Sequence, residues 1–263
     1  MQAVRSVVRT TVLAAVLLWL AATVAAAQTL AVAAASDLQS ALPAIAAQFE
    51  KETGHKVALT FGSSGNFFTQ IQNGAPFDVL MSADIDYPRR LERAGLAERG
   101  STYEYATGRI VLWTRNDSGI DLRGGLSVLA SASVRRVALA NPEHAPYGRA
   151  AVAAIRHEQL YDRVKDKFVL GENISQAAQF VESGNADAGV LALSLALAPA
   201  LKDAGHYVEI PASFHPAIEQ AAVVVAASRQ KAIARQFIAF LKTPESARVL
   251  QSFGFALPQA VPR

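Results

Sequence analysis

The chain has 263 residues, a formal charge of +3, 51% hydrophobic and 18% charged residues, and no cysteine. That balance excludes a disordered chain, a collagen, a coiled coil and a disulfide scaffold. A chain of this length buries a sizeable core without metal or disulfide staples. The lack of cysteine also removes thiolate chemistry, thiolate metal sites and an acyl anchor on an N-terminal cysteine.

At the start, Arg5 and Arg9 precede an apolar run over 12–22, and Ala25, Ala26 and Ala27 follow it. This pattern predicts a secretory signal peptide over 1–27 with cleavage after Ala27. The competing reading is a membrane anchor, but the stretch falls short of the roughly 20 apolar residues that a bilayer core requires. Removing Arg5 and Arg9 leaves 23 of the 25 basic residues against 22 acidic ones, a charge of +1. No basic run of a length that suits nucleic acid or a membrane surface remains. Arg89, Arg90 and Arg93 read as the solvated face of one helix. An exported chain without an anchor is expected free in the periplasm of a Gram-negative cell.

After the signal, short apolar runs alternate with helical patterns. A strand over 30–34 leads to a helix whose apolar face carries Leu38, Leu42, Ile45, Ala46 and Phe49. Strands over 56–60 and 77–81 and helices over 66–73 and 85–94 continue the series, which specifies a parallel, doubly wound sheet. A second α/β series has strands over 110–114, 136–140 and 168–170, with helices from about Gly148 and Ile174. The chain ends with a buried strand over 220–226 and helices over 229–241 and 244–252; Pro244 suits a helix start because of its fixed φ and missing N–H. There is no repeat and no low-complexity linker. Two lobes would therefore be joined by strand-like crossings at 107–109 and 216–221.

In an open α/β sheet, ligands bind beyond the carboxyl ends of the strands, where helix starts present unpaired N–H groups. Three joints qualify: AAASDL over 33–38, FGSSGNF over 61–67 and ANPEHAPYG over 140–148. Ser36 directly follows a strand and precedes a helix, a setting for either an anion ligand or an ordinary N-cap. Asp37 reads as a capping or solvated residue, since a second negative charge opposes an anion. Ser63, Ser64, Gly65 and Asn66 form a turn close to a nucleophile elbow, but Gly62 and Gly65 do not give the G-x-S-x-G spacing. His144 and Glu143 are adjacent without any two-His metal spacing, so a protein metal site is not expected. His144 reads as locally bonded in a polar loop. Tyr147, before Gly148, offers a phenol either to an anion or to a lobe interface.

The segments LAVAAASDLQSALPAIAAQFEKETG, FGSSGNFFTQIQNGAPFDVLMSAD, ANPEHAPYGRAAVAAI, ENISQAAQFVESGNADAGV and SARVLQSFGF, in this order, resemble the periplasmic molybdate-binding proteins of molybdate ABC transporters. The resemblance spans the mature chain. It implies an α/β, two-lobed type II periplasmic binding protein fold, each lobe a mixed, mainly parallel sheet flanked by helices, with the ligand cleft between lobes. The division it implies is lobe I over 28–108 and 218–263 and lobe II over 109–217.

The implied ligand is molybdate or tungstate, delivered by a monomeric, non-enzymatic carrier to the ABC permease in the inner membrane, without cofactor or nucleic acid. By position, Ser36 and Ser64 supply hydroxyls and amides from the first lobe, and the amides of Tyr147 and Ile174 come from the second. Molybdenum is bound by these residues only as the oxyanion. Many members carry a further tyrosine where this chain has Ala192; Tyr147 is the residue placed to restore a phenol from another direction. Alternative readings keep the clamp but carry sulfate, thiosulfate or phosphate, or make the chain an exported serine hydrolase using one of its five histidines.

Overall fold

The computed structural model describes residues 29–258; the expected signal peptide lies outside the described residues. The first strands are β1 (Thr29–Ala35), β2 (Lys56–Gly62), β3 (Val79–Ser82) and β4 (Tyr103–Gly108). They alternate with helices α1 (Leu42–Thr53), α2 (Ser64–Gln72) and α3 (Asp86–Arg93). A second run holds β5 (Ile110–Arg115), β6 (Val137–Ala140), β7 (Phe168–Gly171), β8 (Ala188–Ala192) and β9 (Gly205–Glu209). Its helices are α4 (Pro146–His157), α5 (Tyr161–Val164), α6 (Ile174–Glu182), α7 (Leu193–Ala196) and α8 (Pro199–Lys202). Strand β10 (Ile218–Val224) and helices α9 (Lys231–Phe240) and α10 (Pro244–Ser252) complete the chain.

Two five-stranded sheets result, ordered β2-β1-β3-β10-β4 and β7-β6-β8-β5-β9. The backbone leaves the first sheet through Arg109 and returns between Glu209 and Ile218. In each sheet two pairings are parallel and two antiparallel, so the wholly parallel sheet that the strand–helix alternation suggests is not formed. The reason is topological. A helical crossover returns a strand parallel to its neighbour, whereas β4 runs straight on into β5 of the other sheet and β10 enters from it. β4, β8 and β9 were not legible as strands, and the edge strand β9 is largely exposed, which leaves no apolar run to detect.

Alternate residues of the central strands feed two cores in the first unit. Leu30, Val32 and Ala34 pack with Phe49 of α1 and Phe237 of α9, while Ala33 and Leu80 pack with Phe67, Phe68 and Leu91 of α2 and α3. Both faces of β1 are thus covered, as its near-continuous apolar sequence requires. A third core surrounds the second sheet and includes Trp113, which is fully buried. It also takes in Ala35, Ala83 and Ile218 from the first unit, so apolar packing extends across the line where the two sheets meet.

Phe49 anchors the first core, with edge-on contacts to Phe237 at 5.2 Å and Phe240 at 5.6 Å between ring centroids. Phe49→Ala is expected to lower unfolding free energy by about 3–5 kcal/mol, measured by urea denaturation. A loss below about 1 kcal/mol would mean that the site collapses around the cavity.

Candidate functional site

Each joint singled out in the sequence ends at the same place. Ser36 follows β1, Ser64 opens α2, Tyr147 is the second residue of α4 and Ile174 the first of α6. All four line one small cavity between the sheets. The helix starts are fixed locally: Ser63 caps α2 by accepting the Asn66 amide, Asn173 caps α6 by accepting the Ser175 and Gln176 amides, and Pro146 begins α4. Capping satisfies only some first-turn donors. Among the described residues, the amides of Ser64, Tyr147 and Ile174 have no hydrogen-bond partner. The Ser64 hydroxyl accepts the Ala83 amide at 2.9 Å, which leaves its own proton available.

Ser36 does not open a long helix. It begins a three-residue 3-10 turn, Ser36–Leu38, without a side-chain cap, and α1 starts only at Leu42. Its hydroxyl instead accepts the Ser175 amide from the opposite sheet at 3.3 Å. The Gly65 amide likewise donates across the cleft to the His144 carbonyl at 3.0 Å. The halves therefore touch, and the space left between them is about 10 Å³, roughly one water molecule's sphere. A ligand of several heavy atoms enters only as the halves separate and these bonds are exchanged. The lining carries one carboxyl, Asp37, and no Lys, Arg or His.

Asp37 is neither a cap nor solvated: it is fully buried. Its Oδ2 accepts the Tyr147 hydroxyl at 2.9 Å and the Gln220 amide at 2.6 Å, and its backbone carbonyl accepts Ser194 Oγ at 2.8 Å. Gln220 Nε2 also donates to the Tyr147 oxygen at 3.0 Å, and Tyr105 donates to Gln220 Oε1 at 2.8 Å. Burial pushes the Asp37 carboxyl up to about 6 despite the opposing bonds from Gln220 and Tyr147. Burial, then the nearby Asp37 charge, raises the Tyr147 and Tyr105 phenols well above their usual range. The Tyr147 phenol is thus committed to Asp37. It does not stand in for the tyrosine absent at Ala192, which itself is buried before α7 and off the cavity lining. Gly108 makes this possible, since a Cβ there would lie 2.2 Å from the Tyr147 hydroxyl. Gln220, a polar residue leading into the apolar run over 221–225, was the available signal for this network.

His144 is not bonded locally. Its Nδ1 lies 2.8 Å from Ser63 Oγ and its Nε2 3.6 Å from Glu172, which assembles the three groups of a hydrolytic triad. The arrangement is unsuited to catalysis. Ser63 Oγ is already the cap of α2, and the contact exists only with the cleft shut, when no acyl group fits. Two further pairs span the rims, Asn66 with Glu172 and Arg149 with Asp84.

Residues 30–256 match the model of the bacterial extracellular solute-binding proteins. The chain belongs to this family. It is 38% identical to the molybdate-binding protein ModA of Azotobacter vinelandii over 226 residues, covering 86% of this chain and 89% of that protein. It is 36% identical to ModA of Rhodobacter capsulatus over 241 residues, covering 92% and 93%. The solved Azotobacter vinelandii periplasmic molybdate-binding protein superposes with a TM-score of 0.82 at 37% identity, covering 88% of this chain and all of that one. The sulfate-binding protein SubI of Mycobacterium tuberculosis shares the fold at 16% identity and a TM-score of 0.74. The two mixed sheets are thus the two lobes of a periplasmic binding protein fold, with the cavity in the cleft between them. These relatives are binding proteins, and nothing among them supports a serine hydrolase.

Because the folded protein holds the Asp37 proton more tightly than the unfolded chain, this group favours folding at acid pH. That contribution is fully present below 3.8 and is lost as pH rises through about 6. Asp37→Asn keeps an acceptor for Tyr147 and Gln220 and removes the titration. The variant is expected to gain stability over the wild type toward pH 8, by on the order of 3 kcal/mol at most, read by urea denaturation at pH 4 and 8. A difference independent of pH would show that Asp37 does not titrate this way.

Proposed function

We propose that this chain binds molybdate or tungstate in the cleft and delivers it to an ABC importer. The observation that carries the reading is a cation-free cavity walled by two serine hydroxyls and three unpartnered helix-start amides. A fully deprotonated tetrahedral dianion offers only acceptors, and such a wall offers chiefly donors. Helix N-termini add favourable dipoles. Charge-assisted hydrogen bonds contribute about 1.5–3 kcal/mol each, so these five donors gross about 8–15 kcal/mol before ordering and desolvation are subtracted. A Kd near ~10⁻⁹ to 10⁻⁶ M follows.

In this reading Ser36 and Ser64 act from the first lobe and the amides of Tyr147 and Ile174 from the second. Lobe I comprises residues 28–108 and 218–263, and lobe II 109–217. Uncharged donors suit a carrier, because separation of the lobes dismantles both half-sites at once and frees the cargo. The periplasmic setting of the Azotobacter vinelandii relative and the signal-like N-terminus support a periplasmic carrier that meets its permease at the inner membrane. Protonated phosphate brings a donor of its own. The wall's one carboxyl spends Oδ2 on Tyr147 and Gln220, so phosphate is disfavoured by about 1–3 kcal/mol unless Asp37 Oδ1, unpartnered among the described residues, accepts that proton. Sulfate shares the charge and shape of molybdate, and only the fit of the closed cleft separates them.

Calorimetric titration of the mature protein with molybdate, tungstate, sulfate, thiosulfate and phosphate tests the proposal. The first two are expected to bind tightest, and Ser36→Ala and Ser64→Ala each to weaken them by about 1–3 kcal/mol. Tightest binding of phosphate would reassign the cargo and implicate Asp37 Oδ1, which has no partner among the described residues. Equal affinity in wild type and both serine variants would move the site elsewhere.

A further inference from the structure

We propose that Arg149 and Asp84 form a clasp between the lobes that sets how long a bound oxyanion stays in the cleft, although neither residue lines the cavity. The proposal rests on the oxyanion reading above for its ligand. Arg149 lies on α4, two residues beyond Tyr147, and Asp84 follows Ala83; Tyr147 and Ala83 both line the cavity. The Arg149 guanidinium meets the Asp84 carboxylate directly. The pair therefore forms only when the two walls of the cavity have come together, and each opening must break it.

Asp84 is held within its own lobe, and Arg149 makes a second contact across the cleft. Asp84 Oδ1 accepts the Asp86 amide at 2.9 Å, which fixes the carboxylate in its turn. Arg149 also donates to the Tyr87 hydroxyl at 3.3 Å, and its guanidinium lies 5.7 Å from the Tyr87 ring centroid. Side-chain exposures of 39% for Arg149 and 27% for Asp84 place the pair on the wall of the cleft and not in open solvent. Free-standing surface pairs contribute little because two long side chains must be ordered and water screens them. Here the carboxylate is ordered in advance, the guanidinium finds two partners on one face when the lobes meet, and the screening is partial.

The bland alternative is a field effect, in which these charges merely set the potential felt by a dianion. The two accounts disagree about Asp84. Removing a negative charge beside a dianion strengthens binding through the field alone, whereas it weakens a clasp. Asp84→Asn is the decisive variant, because asparagine keeps the Oδ1 acceptor for Asp86 and loses only the charge that Arg149 needs. A clasp also obeys pairwise logic, since once one partner is gone, removing the other changes little.

The test loads the protein with radiolabelled molybdate and follows its release into excess unlabelled molybdate for the wild type, Asp84→Asn, Arg149→Met and the double variant. Each single substitution is expected to speed release by about three- to tenfold, with the double variant no faster than the faster single. Wild-type release is expected to accelerate between ~20 mM and ~0.5 M salt, and the variants to lose that dependence. Unchanged or slower release from Asp84→Asn, or single effects that multiply in the double variant, would overturn the clasp. If the wild type retains no oxyanion, the oxyanion reading falls by itself and X-ray scattering from the ligand-free proteins decides the clasp. A larger radius of gyration in both single variants then supports it, and superimposable curves overturn it.

Discussion

A helix cannot satisfy its own first amides, and in this chain three helices leave such amides at one cavity. Helices α2, α4 and α6 all begin at the cleft, one from the first lobe and two from the second. Their caps, Ser63 and Asn173, take the deeper amides of the first turn and leave those of Ser64 and Ile174 facing the cavity. An acceptor-only ligand completes what the backbone leaves undone. Sheet order makes the convergence possible, because the neighbouring strands β2, β1 and β3 of one sheet and β7 and β6 of the other all end at the cleft, where Ser64, Ser36, Ala83, Ile174 and Tyr147 follow them. Opening separates the donors by lobe, so in the proposed function affinity and release are governed by the same motion.

The buried group behind the site shows how tightly the lobes are coupled when shut. Asp37 comes from the first lobe, Tyr147 from the second and Gln220 from the strand that returns between them. Its desolvation opposes the charged form, which the surrounding donors only partly offset. The phenol that could have faced the ligand is spent on this carboxyl. The close approach at Gly108, next to the crossing at Arg109, places the network where the chain passes between lobes.

Much of this was legible in the sequence. The order of apolar runs and helical patterns gave most strands and helices to within a few residues, because short apolar runs and capping residues are local signals. Ser36, Ser64, Tyr147 and Ile174, far apart in the chain, were traceable to one site through the family resemblance together with the joint pattern. What stayed hidden depends on partners distant in sequence. Asp37 looked like a solvated cap because local pattern cannot show that Tyr147 and Gln220 enclose it. His144 looked self-contained, although its partner Ser63 is 81 residues away. The 3-10 turn at Ser36 interrupts what the apolar spacing suggested was one helix from Leu38 onward, since tertiary packing and not periodicity sets that boundary. The antiparallel pairings escaped notice, although β5 and β10 themselves were read as strands, because pairing direction follows from connections between lobes and not from composition.

The claim at the centre is that two lobes grip a dianion with uncharged donors alone. A crystal structure of the mature protein grown with molybdate, with anomalous data collected at the molybdenum edge, tests it most directly. The account requires one anomalous peak between the lobes, its oxygens within hydrogen-bond distance of the Ser36 and Ser64 hydroxyls and the amides of Tyr147 and Ile174. A peak seated instead against Arg149, Arg89 or another cationic side chain, with that cavity left unchanged, would contradict it.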